Sequence, residues 1–308
     1  MKFTSLYLIY FILLFICLFL DLSPGLALIL GIFISYCNLN PSPEVSKKFS
    51  KYILAWSIIG LGATVKIYSV YEVSVSSFKL TIITLFVTIA GGWVIGSFLG
   101  VTNKLRALIS SGTAICGATA IAAVGETLNA KKEEISLALG VILILNGIAL
   151  FLFPFLGHIM QLTPQQFGVW AGLAIHDTSS VIGAALEFSP DSVEVATTVK
   201  LARAVWIAPI TILFSYLLKA NDGKMSFKLP WFIGGFIASA ALFSFAPGLS
   251  VYVNSVGFIA RKGFIMAIFL LGSTINIVSL KELGIIPLVF GVILWIISCI
   301  VSLAGILW

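Results

Sequence analysis

Apolar segments long enough to approach or cross a lipid bilayer follow one another along almost the whole of this chain. Hydrophobic residues make up 60% of the 308, charged residues make up 10%, and the mean hydropathy is +1.13. A soluble domain of this size could not remove so much apolar surface from water. The sequence therefore predicts an all-α polytopic membrane protein with one transmembrane domain over residues 1–308, and it excludes binding to nucleic acid.

Charged residues between the apolar segments predict how the chain is oriented. Positively charged loops stay on the cytoplasmic side of a membrane. The basic loops at 47–51, 104–106 and 219–228 are therefore expected to be cytoplasmic, and the acidic loop at 187–194 external. This pattern predicts a multi-pass membrane protein with a cytoplasmic N-terminus.

Eleven segments at membrane depth can be counted along the chain, and we expect about nine spans and two hairpins. Leu6–Leu20 is expected to be a retained first helix, because no clear A-x-A cleavage site follows it. Ile53–Val70 and Leu80–Gly100 are predicted as separate spans, joined by a loop that carries Glu72 and Lys79.

Residues 112–125 consist almost entirely of small side chains, where a membrane helix would normally carry Leu, Ile and Phe. Small residues allow close backbone approach, and glycine allows a helix to break. A break at membrane depth is tolerated only where protein or a water-filled cavity satisfies the freed backbone groups. The stretch predicts a binding site or, equally well, a tight helix–helix packing seam.

Two internal repeats indicate a duplicated architecture. Leu61–Ile67 matches Leu271–Ile277 at four of seven positions, and residues 112–119 are echoed more weakly sixty residues later, at 172–179. Paired interrupted segments in two halves are typical of inverted-repeat transporters. The predicted halves are 1–157, with a broken element at 105–128, and 163–308, with a broken element at 165–187. Re-entrant hairpins make the two broken elements antiparallel, whereas full spans would leave them parallel.

The most polar cluster at membrane depth lies in the second broken element. Ionisable residues there are costly and are functional by default. Asp177, Thr178 and Ser179 are also good N-cap residues for a half-helix that begins near Ser180, and a half-helix N-terminus attracts anions. The alternative is that these side chains only cap the break. The cluster is His176, Asp177, Thr178, Ser179 and Ser180.

Two cations, Lys200 and Arg203, lie three residues apart on one face of a later helix. Counted from Val193, Arg203 lies about 15 Å deep, near the bilayer centre. Two cations that face a cavity would favour an anion, and the alternative is a structural ion pair with Asp177. The residues predicted to bind substrate are Thr113, Cys116, Gly117, Ala118, Thr119, His176, Thr178, Ser179, Ser180, Lys200 and Arg203.

Several of these motifs resemble the sulfate exporter family of bacterial membrane proteins. They are Gly112–Ala123, Trp170–His176, Lys200–Arg203 and the repeats at Leu61 and Leu271, and the likeness covers nearly the whole chain. The resemblance implies a location in the bacterial inner (cell) membrane. It also implies the inverted-repeat fold shared by bile-acid symporters and sodium–proton antiporters, whose broken helices cross at a central site. Residues 177–180 read Asp-Thr-Ser-Ser where the commoner family form reads Glu-Val-Ala-Gln, so the substrate or coupling ion can differ.

We therefore expect a secondary active transporter of a small inorganic or organic anion, sulfate-like or otherwise sulfur-containing. His176 and Asp177 are the candidate coupling groups, for H⁺ or Na⁺. The alternative is a cation–proton antiporter with Asp177 as the carrier. A further alternative is an intramembrane enzyme that uses Cys116, but nothing in the sequence places that thiol beside His176. The expected partners are the anion, the coupling ion and the lipid bilayer; no cofactor or metal site is predicted, and a homo-oligomer is left open.

Overall fold

The computed structural model describes residues 2–20, 22–218, 230–275 and 284–307. Over these residues the chain is helical and has no β-strand, so the all-α prediction is confirmed. A 3₁₀ helix at Pro247–Tyr252 precedes the thirteenth α-helix. In chain order the α-helices are α1 (Lys2–Phe19), α2 (Pro24–Tyr36), α3 (Pro43–Gly62), α4 (Ile67–Phe98), α5 (Asn103–Ala114), α6 (Ala118–Thr127), α7 (Lys132–Ile159), α8 (Pro164–Ala174), α9 (Thr178–Phe188), α10 (Ser192–Ala204), α11 (Ile207–Leu217), α12 (Trp231–Phe245), α13 (Val253–Gly272) and α14 (Ile285–Leu307).

Helix starts follow from local chemistry that is visible in the sequence. The Thr163 hydroxyl accepts the backbone N–H of Gln166, whose side chain in turn accepts the backbone N–H of Thr163. This reciprocal capping box, with Pro164 at the first helical position, begins α8. The start of α8 therefore has a local cause in the residues Thr163, Pro164 and Gln166.

Five helical segments in the described part of the chain are long and apolar enough to cross a membrane. Three shorter apolar helices accompany them, at Leu8–Cys17, Pro24–Tyr36 and Trp231–Phe245. The five candidate spans are Ile67–Phe98, Lys132–Ile159, Ser192–Leu217, Pro247–Gly272 and Ile285–Leu307. These lengths support a multi-pass membrane protein, while a total of nine spans stays a prediction.

Three predicted loops are wrong, and one of them, at 104–106, lies in the first turn of α5. The helix α4 runs without interruption through Glu72 and Lys79, whose side chains are both exposed. An α-helix pairs its own backbone groups, so charged side chains that point outward do not end it. The basic residues of the predicted loop at 47–51 likewise lie inside α3. The predicted basic loop at 219–228 lies outside the described residues.

The chain forms two compact units, Met1–Tyr71 with Pro230–Lys281 and Glu72–Leu229 with Glu282–Trp308. In the first unit α3 and α13 run antiparallel. A Cβ atom on Gly60 would lie 2.9 Å from the Cβ of Ala260, and the Ser50 hydroxyl donates to the carbonyl of Ala267 at 2.8 Å. The lack of a side chain at Gly60 therefore permits a close helix pair.

The stronger sequence repeat forms the same local structure twice in this first unit. The Thr64 hydroxyl donates to the Leu61 carbonyl at 2.8 Å where α3 ends, and the Thr274 hydroxyl donates to the Leu271 carbonyl at 2.8 Å where α13 ends. In each copy the backbone N–H of the threonine donates to the same carbonyl as its hydroxyl does. The last two positions of the second copy, 276 and 277, lie outside the described residues.

In the second unit, α5 and α6 form a helical hairpin. The Lys104 ammonium at the start of α5 donates to the carbonyl of Asn129, just after α6, at 2.9 Å. A Cβ atom on Gly112 would lie 2.9 Å from the Ile121 side chain of α6. Because the 12 residues of α5 rise about 18 Å, these contacts require α6 to return alongside it.

A second hairpin is formed by α8 and α9. The rings of Phe167, in the first turn of α8, and Phe188, at the end of α9, stack with their centroids 4.0 Å apart. A Cβ atom on Gly157 of α7 would contact both rings, at 2.6 and 3.0 Å. Both broken elements thus turn back at the break.

This hairpin geometry predicts which loops reach the same side of the membrane. In a variant free of native cysteines, Lys132→Cys is expected to react with a membrane-impermeant thiol reagent from the cytoplasm and Asp191→Cys from outside. Both positions are exposed, and the basic residues beside Lys132 favour the cytoplasm. Labelling of Lys132→Cys from the outside alone, in intact cells against inverted vesicles, would contradict the prediction.

Candidate site at the tips of two helical hairpins

The tip of the first hairpin is formed by Ile115–Gly117, between α5 and α6. Gly117 has φ +60° and ψ −120°, a combination that is open essentially only to glycine. Its N–H bonds the carbonyl of Gly112 at 2.9 Å, and its carbonyl accepts the N–H of Ile121. Because glycine has no side chain to cap α6, the first N–H groups of that helix have no side-chain acceptor at residue 117.

The tip of the second hairpin is formed by Ile175–Asp177, and Asp177 is the N-cap of α9. Its Oδ1 accepts the Ser180 N–H at 2.6 Å and the Ser179 hydroxyl at 2.8 Å. A carboxylate at this position satisfies an unpaired donor and is favoured by the helix dipole.

Asn146, in the middle of α7, holds this second tip in place. Its amide Nδ2 donates to Oδ2 of Asp177 at 2.7 Å, and its Oδ1 accepts the backbone N–H groups of His176 at 3.2 Å and Asp177 at 3.4 Å. One side chain therefore replaces helix hydrogen bonds that the break removes. Asn146 thus makes hydrogen bonds from α7 to the chain between α8 and α9.

Lys200 is fully buried and joins the two tips. Its ammonium Nζ donates to the carbonyl of Ile115 at 3.0 Å and to the carbonyl of Ile175 at 2.5 Å. Each of these residues directly follows the last residue of a half-helix, α5 or α8. The ammonium thus lies at the negative ends of two helix dipoles.

Arg203 is also fully buried and makes the same kind of bridge one turn further on. Its guanidinium donates to the carbonyls of Leu173, through Nη1, and Thr113, through Nη2 at 3.3 Å. In an unbroken helix the carbonyl of Leu173 would accept the N–H of residue 177, and that of Thr113 the N–H of residue 117. At the breaks these two N–H groups donate elsewhere, to Asn146 and to the carbonyl of Gly112.

The carbonyl partners of both cations are sixty residues apart, 115 with 175 and 113 with 173. This is the spacing of the weaker sequence repeat, so the two tips present equivalent carbonyls to the cations. The alternative reading, a structural ion pair with Asp177, does not describe the contacts of Arg203 in the structure. The Asp177 carboxylate bonds Asn146, Ser179 and Ser180, and Arg203 bonds backbone carbonyls.

A glycine seam lets α10 carry the two cations this close. Cβ atoms on Gly168 and Gly172 of α8 would lie 2.7 Å from the Cβ of Val195 and 2.8 Å from the Cβ of Val199. The four-residue spacing of the glycines places both on one helix face, where they permit backbone approach. For the first small-residue stretch, residues 112–125, the sequence predicted either a binding site or a packing seam. In the weaker repeat of that stretch, Gly172 belongs to a packing seam, and this seam positions the site.

His176 is fully buried, and neither ring nitrogen has a hydrogen-bond partner within the described residues. Its ring lies 6.2 Å from that of Trp295 in α14, whose indole N–H is likewise without a partner there. The thiol of Cys116 lies near the Thr119 side chain and the Ala120 backbone. No hydrogen bond joins it to His176 in that part of the chain, so the geometry supplies no base for the thiol.

The predicted site residues fall into a buried group and an accessible rim. The two tips lie next to each other. A Cβ atom added to Gly117 would be 3.5 Å from Asp177 and from the backbone of His176, which is van der Waals contact. The rim consists of the exposed Ala118 and Thr119 and the partly exposed Asp177, Thr178 and Ser180. The buried group consists of Thr113, Cys116, Gly117, His176, Ser179, Lys200 and Arg203.

Sequence reasoning left two residues out of the site. Asn146 carries a signal, since it is a lone amide in an apolar helix and such a group needs a partner. Trp295 carries none, because a tryptophan in a hydrophobic helix is expected from composition alone.

Helices of membrane-spanning length, with two hairpins whose tips meet around buried cations, define a multi-pass α-helical membrane protein. The chain belongs to the family described as "Conserved hypothetical protein 698", whose model matches residues 6–291.

Similar proteins carry names that state a membrane location. A "UPF0324 membrane protein" of Bdellovibrio bacteriovorus is 40% identical over 296 residues, which cover 95% of this chain and 91% of that protein. Another, of Bacteroides thetaiotaomicron, is 40% identical over 303 residues, 93% of this chain and 90% of that protein. A third, of Photobacterium profundum, is 38% identical over 299 residues, 97% and 91% of the two chains. No solved structure matches. The relatives support a membrane protein family and do not carry the sulfate exporter name.

Proposed function

We propose that this protein is a secondary active transporter of a small anion, sulfate-like or otherwise sulfur-containing, and that it works by alternating access around the paired helix breaks. It is not an enzyme in this proposal. The observation that carries the proposal is the rim where two half-helix N-termini meet at membrane depth. In transporters with broken helices, such N-termini bind anionic substrate groups.

The charge balance supports an anion. Lys200 and Arg203 lie behind the tips, and Asp177 is the carboxylate bonded at the second tip. Counted formally, this leaves one positive charge in excess, and both cations are fully buried, where electrostatic interactions are strong. Because backbone carbonyls hold both cations, their role toward the anion is through the field and not through direct contact.

Internal duplication supports alternating access. The two hairpins present equivalent carbonyls at sixty-residue spacing, and the repeat at Leu61 and Leu271 ends two antiparallel helices. In inverted-repeat transporters, such duplicated, interrupted helices form the binding site, and one repeat moves against the other around it. His176 and Asp177 stay the predicted coupling groups, for H⁺ or Na⁺.

A cation–proton antiporter is the second candidate, and Asp177 favours it. This carboxylate is partly exposed at the tip and could carry a cation or a proton. The nearby cations oppose a bound Na⁺, which is why we place this function second.

One substitution separates the two functions. Asparagine is as good an N-cap as aspartate, so Asp177→Asn keeps the cap on α9; it replaces the oxygen that accepts from Asn146 with an amide group, so a lower melting temperature in the absence of ligand is expected. If the substrate is an anion, the variant is expected to keep or increase its stabilisation by sulfate, sulfite or thiosulfate, because a negative charge has been removed. A ligand at 100 times its dissociation constant stabilises a protein by about 2.7 kcal/mol. The measurement is the melting temperature of purified protein against each anion, followed by uptake of the stabilising anion into proteoliposomes.

Asp191→Asn is the matched control, because Asp191 is an exposed N-cap without a side-chain hydrogen bond. It is expected to behave like the native protein in both assays. Loss of Na⁺–H⁺ exchange in Asp177→Asn, with no response of the native protein to any anion, would reject the anion transporter in favour of the antiporter.

A further inference from the structure

The ammonium of Lys200 lies where two half-helices end. Its Nζ is 3.0 Å from the carbonyl oxygen of Ile115 and 2.5 Å from that of Ile175, and its side chain is fully buried. These carbonyls belong to equivalent positions of the two hairpin tips, so the arrangement is a duplicated one.

Such a position attracts a cation for two reasons. The last carbonyls of a helix lack N–H partners within the helix, and the C-terminal end of the helix carries a partial negative charge. Two such ends converge here on one fully buried side chain. In secondary transporters, the C-terminal ends of half-helices and the unwound carbonyls beside them coordinate Na⁺.

We propose that Lys200 is a covalently attached cation that takes the place of a bound Na⁺ between the hairpin tips, so that the native protein needs no Na⁺ there. Removal of the side chain should then create a site for a small monovalent cation. For ion coupling it follows that Na⁺ is not required between the hairpin tips, and this consequence rests on the proposed transport function. The binding consequence does not depend on it.

The neighbouring contacts allow the substitution to be tested. Arg203 holds the carbonyls of Leu173 and Thr113 one turn away, so the tips keep a second bridge when Lys200 is replaced. Beyond its Cβ atom, a lysine side chain has the composition of n-propylammonium. Lys200→Ala therefore leaves a space that fits this ion, or a smaller cation close to the same carbonyls.

The experiment measures melting temperatures of purified protein in choline chloride, sodium chloride and n-propylammonium chloride at equal ionic strength. The native protein is expected to gain no stability from sodium over choline beyond any gain that Asp177→Asn removes. Lys200→Ala is expected to melt lower than the native protein in choline, and to recover saturably with Na⁺ or n-propylammonium but not with neutral 1-propanol.

Lys200→Met is the matched control, because methionine fills much of the space without a donor or a charge. It is expected to melt below the native protein in every salt and to show no recovery. A folded Lys200→Ala that ignores both small cations would overturn the proposal, as would failure of this variant to fold in any of the salts. A native stability of Lys200→Met in choline would show that the carbonyls need no cation.

The native protein supplies a test that no folding defect can obscure. Saturable stabilisation of the native protein by Na⁺ over choline, unchanged in Asp177→Asn, would place Na⁺ at the carbonyls and contradict the inference. Failure of the transport proposal is read separately, from anion uptake, since the melting measurements with Lys200 variants involve no anion substrate.

Discussion

Replacing Arg203 with alanine is expected to lower the melting temperature of the purified protein sharply and irrespective of added anions. The substitution leaves the buried carbonyls of Leu173 and Thr113 without donors and opens a cavity. Each buried group that loses its partner costs on the order of 1–3 kcal/mol. Differential scanning calorimetry or a thiol-independent fluorescence melt, with and without sulfate, measures the effect.

Arg106→Ala is the matched control. Arg106 also donates to a backbone carbonyl, that of Val101 at 2.6 Å, but its side chain is only partly buried. Its loss is expected to cost about 1 kcal/mol, the value of an ordinary hydrogen bond. Arg203→Lys is expected to recover part of the stability, because one ammonium cannot reproduce the planar fork of the guanidinium.

The outcome also decides what Arg203 does toward the substrate. A stable Arg203→Ala that no longer responds to the anion would show that the guanidinium binds the anion directly, and would contradict its role as a bridge between the hairpin tips. A stable variant with a full anion response would contradict both roles.

Replacing Gly117 with alanine is expected to have the second large effect. At φ +60° and ψ −120° a side chain is strained, at a cost of about 1–3 kcal/mol. The added Cβ atom would also lie 3.2 Å from the Ile142 side chain of α7, which is tighter than an ordinary contact, so α7 or the first tip has to shift. We expect a lower melting temperature and a loss of transport larger than the loss of folded protein, measured in proteoliposomes at matched protein content.

Two glycines serve as controls for this prediction. Gly147, inside α7, has open space around it, and alanine there is expected to stabilise the helix by roughly 0.5–1 kcal/mol. Gly100 has φ +67° and open space, so Gly100→Ala tests backbone strain without a contact. If Gly117→Ala transports as well as Gly147→Ala, the first tip is not part of the transport site.

Several features could be predicted from the sequence because their causes are local. Hydropathy predicts helices at membrane depth, and the capping residues Thr163 and Pro164 mark where α8 begins. The glycines at 112 and 117 mark the first break, since a helix rarely carries so many small residues without a reason in packing or conformation. The polar residues at 176–180 mark the second break, because ionisable groups are costly at that depth.

Other features were decided by tertiary structure. Nothing in the spacing of Lys200 and Arg203 indicates that their partners are backbone carbonyls, because any residue supplies a carbonyl and the breaks decide which ones lack an N–H. The continuity of α4 through Glu72 and Lys79 was also missed. Charged side chains that reach a polar environment do not interrupt a helix.

The sequence by itself determined the all-helical membrane character, the positions of both breaks and the residue types at the site, because helix formation, capping and the cost of polar groups depend on near neighbours along the chain. Only the tertiary structure decided that the breaks are hairpins with touching tips, that Asn146 holds the second tip, and that two buried cations bridge carbonyls sixty residues apart. Those contacts depend on the close packing of α8 against α10 through Gly168 and Gly172, and their partners are far apart in the chain.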